Sequence, residues 1–284
     1  MQYLNLKDDL WYDCLEDSYG YLRHSWHSQW VGMPIILDDC LKFLNLHHNN
    51  LSEAAKSMLD AAKSVALEIE NQAQGEKKKN EPKYHNRLHF ADAITSISIQ
   101  LAILNKAQKQ DSYDWMMCAL LTCLSHDFGH PGKVNSFESE IEIQSVDSLK
   151  PILISHSVPE EWITIIETAI VRSDFAIVHR NHADVAAKSF DWNLNWLCVL
   201  LNEADVMASA SSKYGPNLGN ALAQEWQLIG FPPHAIVSSL EGRNSFLKQV
   251  VFSSPASLIL GLNQKIEEEI RTNLRVSEFL CKRS

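Results

Sequence analysis

Apolar residues recur along most of this chain at a helical period. From Leu51 to Glu70 they fall at Ala54/Ala55, Met58/Leu59, Ala62, Val65/Ala66 and Ile69, the stripe of an amphipathic helix. Pro82 is placed to open a second helix running to about Lys106, with Leu88, Ala91, Ile94, Ile97, Leu101 and Leu104 on its apolar face. Asp111 or Ser112 can cap a third, from Tyr113 to roughly Asp127, which Gly129 and Pro131-Gly132 then stop. Ser136 starts a further helix, and Pro159-Glu160-Glu161 makes a first turn for one ending near Val171. Asp191 can cap a long apolar helix through Trp196, Leu200 and Ala204, and Ser257 to Leu280 reads as the last. Runs alternating at the strand period are scarce, so the expected fold class is all-α, a compact multi-helix bundle.

The segment Asn71 to Glu81, NQAQGEKKKNE, is polar and reads as a loop between an N-terminal helical part (1–80) and the rest (81–284). Nothing suggests that either part is stable alone, so a single domain over 1–284 is expected. Trp11, Tyr12, Tyr19, Tyr21, Trp26 and Trp30 should pack on the core, with a homodimer contact as the alternative.

Composition narrows the class of function. The 284 residues are 45% hydrophobic and 21% charged, which is globular, and the formal charge of −10 argues against a general nucleic-acid binder. No apolar run approaches the ~20 residues that cross a bilayer. The start, MQYLNLKDD, has neither the basic end nor the apolar stretch of a signal peptide. The six cysteines form no C-x-x-C pair, and Cys118, Cys123 and Cys198 lie in apolar helical stretches. A cytoplasmic protein with reduced thiols, bound to neither membrane nor nucleic acid, is the expectation.

The candidate chemistry lies in histidines and acids. His85 and His89, four apart on the second helix, face the same way, with Asp92 three residues later. Such a pair taken alone also fits two histidines that bond solvent or a carbonyl. His126-Asp127 follows the apolar run ALLTCL, where a carboxylate is costly unless paired, hydrogen-bonded or bound to metal. Asp205 falls on one stripe with Leu197 and Leu201, and the nearby sequence offers no basic residue before Lys213. Two imidazoles and two carboxylates, His89, His126, Asp127 and Asp205, make a two-nitrogen, two-oxygen site for a divalent ion.

Tyr84 to Asp92, YHNRLHFAD, fits Y-H-N-x-x-H-x-x-D, and His126 to Asn135, HDFGHPGKVN, fits H-D-x-x-H-P-G-x-x-N. In these motifs the chain resembles the HD-domain metal phosphohydrolases of the class I 3′,5′-cyclic-nucleotide phosphodiesterase type, and Ala204-Asp205 resembles their third metal segment. The resemblance implies an all-helical fold, hydrolysis of cAMP and/or cGMP, and two divalent ions. His89, His126, Asp127 and Asp205 would hold the first, zinc. Asp127 would bridge to the second, magnesium or manganese, with the attacking hydroxide between the two ions. It also implies His85 as proton donor to the leaving oxygen and His130 as a histidine steadying water on the second ion.

Gln249 and Phe252 resemble the family's pair that reads the purine edge and stacks on its ring, although an amphipathic helix with an exposed Gln and a buried Phe has the same spacing. Two features depart from the animal enzymes of the family. Their E-N-H-H stretch is absent, with Ile154 to Glu161 near its expected place, and Val206-Met207 stands where Asn-Pro would follow the third-motif Asp. A phosphohydrolase acting on another nucleotide or phosphoester keeps the metal ligands and drops the roles of Gln249 and Phe252. A non-catalytic metal-containing binding protein is the remaining alternative.

Overall fold

The computed structural model describes residues 3–4, 10–26, 28–46, 51–74, 81–108 and 112–281, with side chains to 276. Among these, fourteen helices and no strand are present: α1 Trp11–Ser25, α2 Met33–Phe43, α3 Glu53–Gln74, α4 Arg87–Gln108, α5 Tyr113–Ser125, α6 Glu140–Ser155, α7 Glu160–Val171, α8 Val178–Val185, α9 Leu194–Ala210, α10 Gly215–Leu228, α11 His234–Val237, α12 Leu240–Gln249, α13 Pro255–Leu260 and α14 Leu262–Cys281. The all-α class read from the periodicity is the one observed.

Helix α4 is the axis of the fold, packed by α1, α2, α5, α9 and α13. It is buried on all sides rather than along one stripe: Ala91, Ala93, Ile94, Ile97, Ile99 and Leu101 are all inaccessible. Its buried hydroxyls are satisfied locally, Thr95, Ser96 and Ser98 each donating to the carbonyl four residues back, at 2.6–2.7 Å. By length and composition α4 alone among the described helices could cross a membrane, but 83% of that stretch is buried against its neighbours.

The N-terminal part docks on this axis through polar as well as apolar contacts. Arg23 of α1 grips Asp92 with two bonds of 2.7 and 2.8 Å, and the Tyr19 hydroxyl meets Ser96 at 2.6 Å. Tyr19 is fully buried, while Trp11, Tyr12, Tyr21, Trp26 and Trp30 are partly buried against the core. Cys14 is buried, and Cys40, Cys118, Cys123 and Cys198 are buried free thiols.

Several boundaries differ from the sequence expectation. Helix α3 continues through Gln74, and Lys77 to Lys79, like Asp111, lie outside the described residues. Helix α4 begins at Arg87, not Pro82, because the Asn86 side chain accepts from the Leu88 and His89 amides and so caps it. Helix α6 begins at Glu140 rather than Ser136. Ser139 sits in the left-handed region (φ 60°), and its amide is held by Asp174 at 2.8 Å.

Helix α9 is capped by Asn193, which accepts from Asn195 and Trp196, and not by Asp191. The expected last helix is two, parted at Gly261, whose φ of 67° ends α13. Helices α8 and α10 to α12 were not anticipated, their apolar positions being too few for a long stripe.

Candidate functional site

Three separate elements deliver four side chains to one point. His89 projects from the first turn of α4, His126 and Asp127 from the turn that ends α5, and Asp205 from the second half of α9. The Nε2 atom of His89 lies 3.1 Å from Asp127 Oδ2, 3.2 Å from Asp205 Oδ1 and 3.3 Å from His126 Nε2. His126 Nε2 is 3.3 Å from Asp127 Oδ2 and 3.4 Å from Asp205 Oδ1. His89, His126 and Asp127 are buried, whereas the Asp205 side chain is 24% exposed, at the floor of an open cleft rather than in a sealed core.

The donor set asks for a cation. The Nδ1–H of His126 donates to the Cys123 carbonyl at 2.8 Å, which leaves the Nε2 lone pair facing two carboxylates that can only accept. Among the described residues the ion-pair contacts of Asp127 and Asp205 are all with imidazoles, none with a lysine or arginine. Burial alone pushes the His89 imidazole down, but the bonds and charges of Asp127 and Asp205 outweigh it and bring its pKa up to about 9. His126 is raised by the same acids against its burial, so the acids draw positive charge inward. Two nitrogens and two oxygens within 4.8 Å of one another fit a divalent ion.

Beside this quartet lies a second group: His85, His130 and Glu225. His85 is not on α4, as the i, i+4 spacing had suggested, but in the bend before it. Glu225 of α10 holds it there. One carboxylate oxygen accepts from the Tyr84 and His85 amides at 2.7 and 3.1 Å, and the other bonds His85 Nδ1 at 2.5 Å. The free Nε2 of His85 points to Asp127 Oδ2, 4.0 Å away.

His130 stacks on His85, with ring centroids 3.7 Å apart, and accepts from the Gly132 amide at Nδ1. Burial, then the neighbouring His85, lowers its pKa to about 3, so it is neutral at ordinary pH. Burial would raise Glu225, but the His85 bond and charge, with the two amides, bring it down to about 2. The sequence reading missed Glu225. No motif surrounds it, and only the structure shows that α10 buries this acid while Leu228 of the same helix is exposed.

Residues 84–158 match the family described as 3′5′-cyclic nucleotide phosphodiesterase. Over this stretch the chain is similar to the class I cyclic-nucleotide phosphodiesterases, and the match indicates a hydrolase. The matched stretch carries His85, His89, His126, Asp127 and His130, and the all-helical fold agrees with it. No curated protein matches the chain.

The last motif position of this phosphodiesterase-like chain, Asp92, turns away from the quartet to Arg23. His156, from the stretch near the expected E-N-H-H place, bonds Ser64 of α3 at 2.7 Å and takes no part in either cluster. Asp205 also borders a cavity of about 260 Å³, whose lining includes Gln249. Gln249 is exposed and its amide donates to Ser245 Oγ at 3.1 Å. Phe252 is 2% exposed and packs in the main core, outside the lining of the cavity.

The wall carrying Gln249 is anchored by Glu203, a fully buried acid two residues before Asp205. It accepts from the Ser253 and Ser254 amides, the Ser254 and Ser257 hydroxyls and Gln100 Nε2, at 2.5–2.9 Å.

Proposed function

We propose that the chain hydrolyses the 3′,5′-phosphodiester of cAMP and/or cGMP to the 5′-monophosphate. His89, His126, Asp127 and Asp205 would hold a zinc ion, and Asp127 would also serve a magnesium or manganese ion. Such ions, when bound, neutralise phosphoryl charge and lower the pKa of water from ~16 towards ~7. With neutral imidazoles the quartet carries two negative charges, so two divalent ions leave a net positive place for a phosphate in an otherwise acidic protein.

The observation that carries this reading is the pairing of that quartet with His85, whose Nε2 looks onto Asp127 while its Nδ1 is held by Glu225. When water attacks phosphorus, the bond from phosphorus to the 3′ oxygen breaks and that oxygen needs a proton. His85 is placed to supply it from Nε2, the Glu225 carboxylate fixing the ring through Nδ1. His130, neutral and stacked on His85, shields that ring from water and presents no competing charge. Gln249, at the rim of the cavity beside Asp205, is available to read the base.

The test combines elemental analysis with assays on cyclic and linear nucleotides. His85→Ala should slow turnover severely with metal content near normal, and Asp127→Ala should lose metal and activity together. Loss of metal from the His85 variant would assign that histidine to the ions instead. A fully active, metal-free Asp127 variant would end the two-ion proposal. The buried position of Phe252 favours one second reading, a phosphohydrolase for another nucleotide or phosphoester. Turnover of linear but not cyclic substrates would select it.

A further inference from the structure

The cavity beside Asp205 is built differently from what the Gln249–Phe252 spacing implies. Its floor is α9, at Asn202 and Asp205, and one wall is the stretch Gln249 to Val251. The lining continues with Phe175 and Ala176 of the connection from α7 to α8 and with Val178 and His179 of α8. Phe175 is 46% exposed, and its ring lies 6.3 Å from Phe246, centroid to centroid, at 25°. Phe252, at 2%, has no free face to offer. Apart from Asp205, which belongs to the quartet, and His179, the lining holds no titratable side chain, so most of the space suits a neutral group.

Its polar edge is oriented in advance. Asn181 donates to Asn202 Oδ1 at 2.6 Å, and the Asn202 Nδ2 has only a long contact of 3.5 Å to the Arg172 carbonyl. That amide is a donor with capacity to spare. Gln249 spends its own Nε2 on Ser245, which leaves its Oε1 as an acceptor. A flat ring flanked by one donor and one acceptor is the requirement of a nucleobase.

We infer that Phe175, on the loop before α8, is the aromatic surface on which the base of the substrate stacks, in place of Phe252. The inference rests on the cyclic-nucleotide reading above. Stacking is made equally in the ground and transition states, so its loss raises KM and spares kcat.

The test compares Phe175→Ala, Phe175→Tyr and Phe252→Leu with the wild type, on cAMP, cGMP and a base-free ribose 3′,5′-cyclic phosphate. Phe175→Ala should raise KM for the cyclic nucleotide about tenfold, the size of one base–aromatic stack, with kcat unchanged. Its rate on the base-free compound should equal the wild type, Phe175→Tyr should restore KM, and Phe252→Leu should leave KM within about twofold. An active wild type with KM unchanged in Phe175→Ala, or a KM rise in Phe252→Leu instead, overturns the inference and leaves the function standing. A metal-loaded wild type inactive on all three compounds overturns both.

Discussion

Glu225 offers the sharpest test of how the site works, because it touches the proposed acid and none of the metal ligands. In Glu225→Gln, the Tyr84 and His85 amides still need an acceptor, so the amide oxygen stays on them. The NH2 group then faces His85 Nδ1, where a carboxylate oxygen stood at 2.5 Å. A donor in that place forces Nδ1 to accept and withdraws the negative charge beside the ring. A hydrogen bond to a charged partner contributes about 1.5–3 kcal/mol, which corresponds to a loss of roughly ten- to 150-fold in kcat at neutral pH. Metal content should not change, since His89, His126, Asp127 and Asp205 make no bond to Glu225 among the described contacts. The assay is kcat and kcat/KM against pH for the variant and wild type, with elemental analysis of both. A variant with wild-type kcat and an unshifted pH profile would refute the role of the carboxylate. A variant that loses metal would show Glu225 to be part of the ion site.

Arg23→Met strands Asp92, whose side chain is 2% exposed, and should cost about 3–5 kcal/mol in denaturant unfolding; adding Asp92→Leu should recover most of it, and additive losses in the pair would contradict the ion-pair account. Glu203→Ala leaves the Ser253 and Ser254 amides and Gln100 Nε2 without an acceptor, and at about 1–3 kcal/mol each the loss should be at least about 3 kcal/mol, with a rise in KM. A variant as stable as the wild type would refute the anchor. Burial pushes the Glu142 carboxyl up to about 7, against an unfolded value near ~4.3. The unfolded chain therefore gives up this proton first, and stability falls as pH rises through that window. In chelator-treated protein Glu142→Gln should match the wild type at pH 4 and melt higher at pH 8; identical curves at both pH values would count against the raised pKa.

The convergence of His89, His126, Asp127 and Asp205 was legible because two of them are adjacent in one short motif and a third lies in another, and because an acid in an apolar run must find a cation. The helical class was legible for a similar reason, the period of the apolar positions in α3, α5, α7 and α9 being long and regular. The start of α4 was misread because Pro82 carries a strong helix-opening signal, whereas the true cap, Asn86, acts through a side-chain bond of the kind the sequence also permits at a turn. Glu225 left almost no trace, being 140 residues from the histidine it serves. The burial of Phe252 is likewise a tertiary outcome, since an x-x-F spacing looks the same whether the ring faces a cavity or the core.

Arg243 ties the far end of the molecule to the site. Its guanidinium donates to the Ser209 carbonyl, to Ala210 and Ser211 at 3.1 and 3.0 Å, and to Glu269 of α14 at 2.8 and 2.9 Å. The last carbonyls of α9 are thus held from outside, one turn beyond Asp205. The approach is so close that a methyl group at Gly215 would meet the Ser209 carbonyl and this guanidinium. Anything that shifts α14 pulls on this tether and tilts the tail of α9, so a residue of the terminal helix that meets neither ion nor nucleotide still helps set where the Asp205 carboxylate stands.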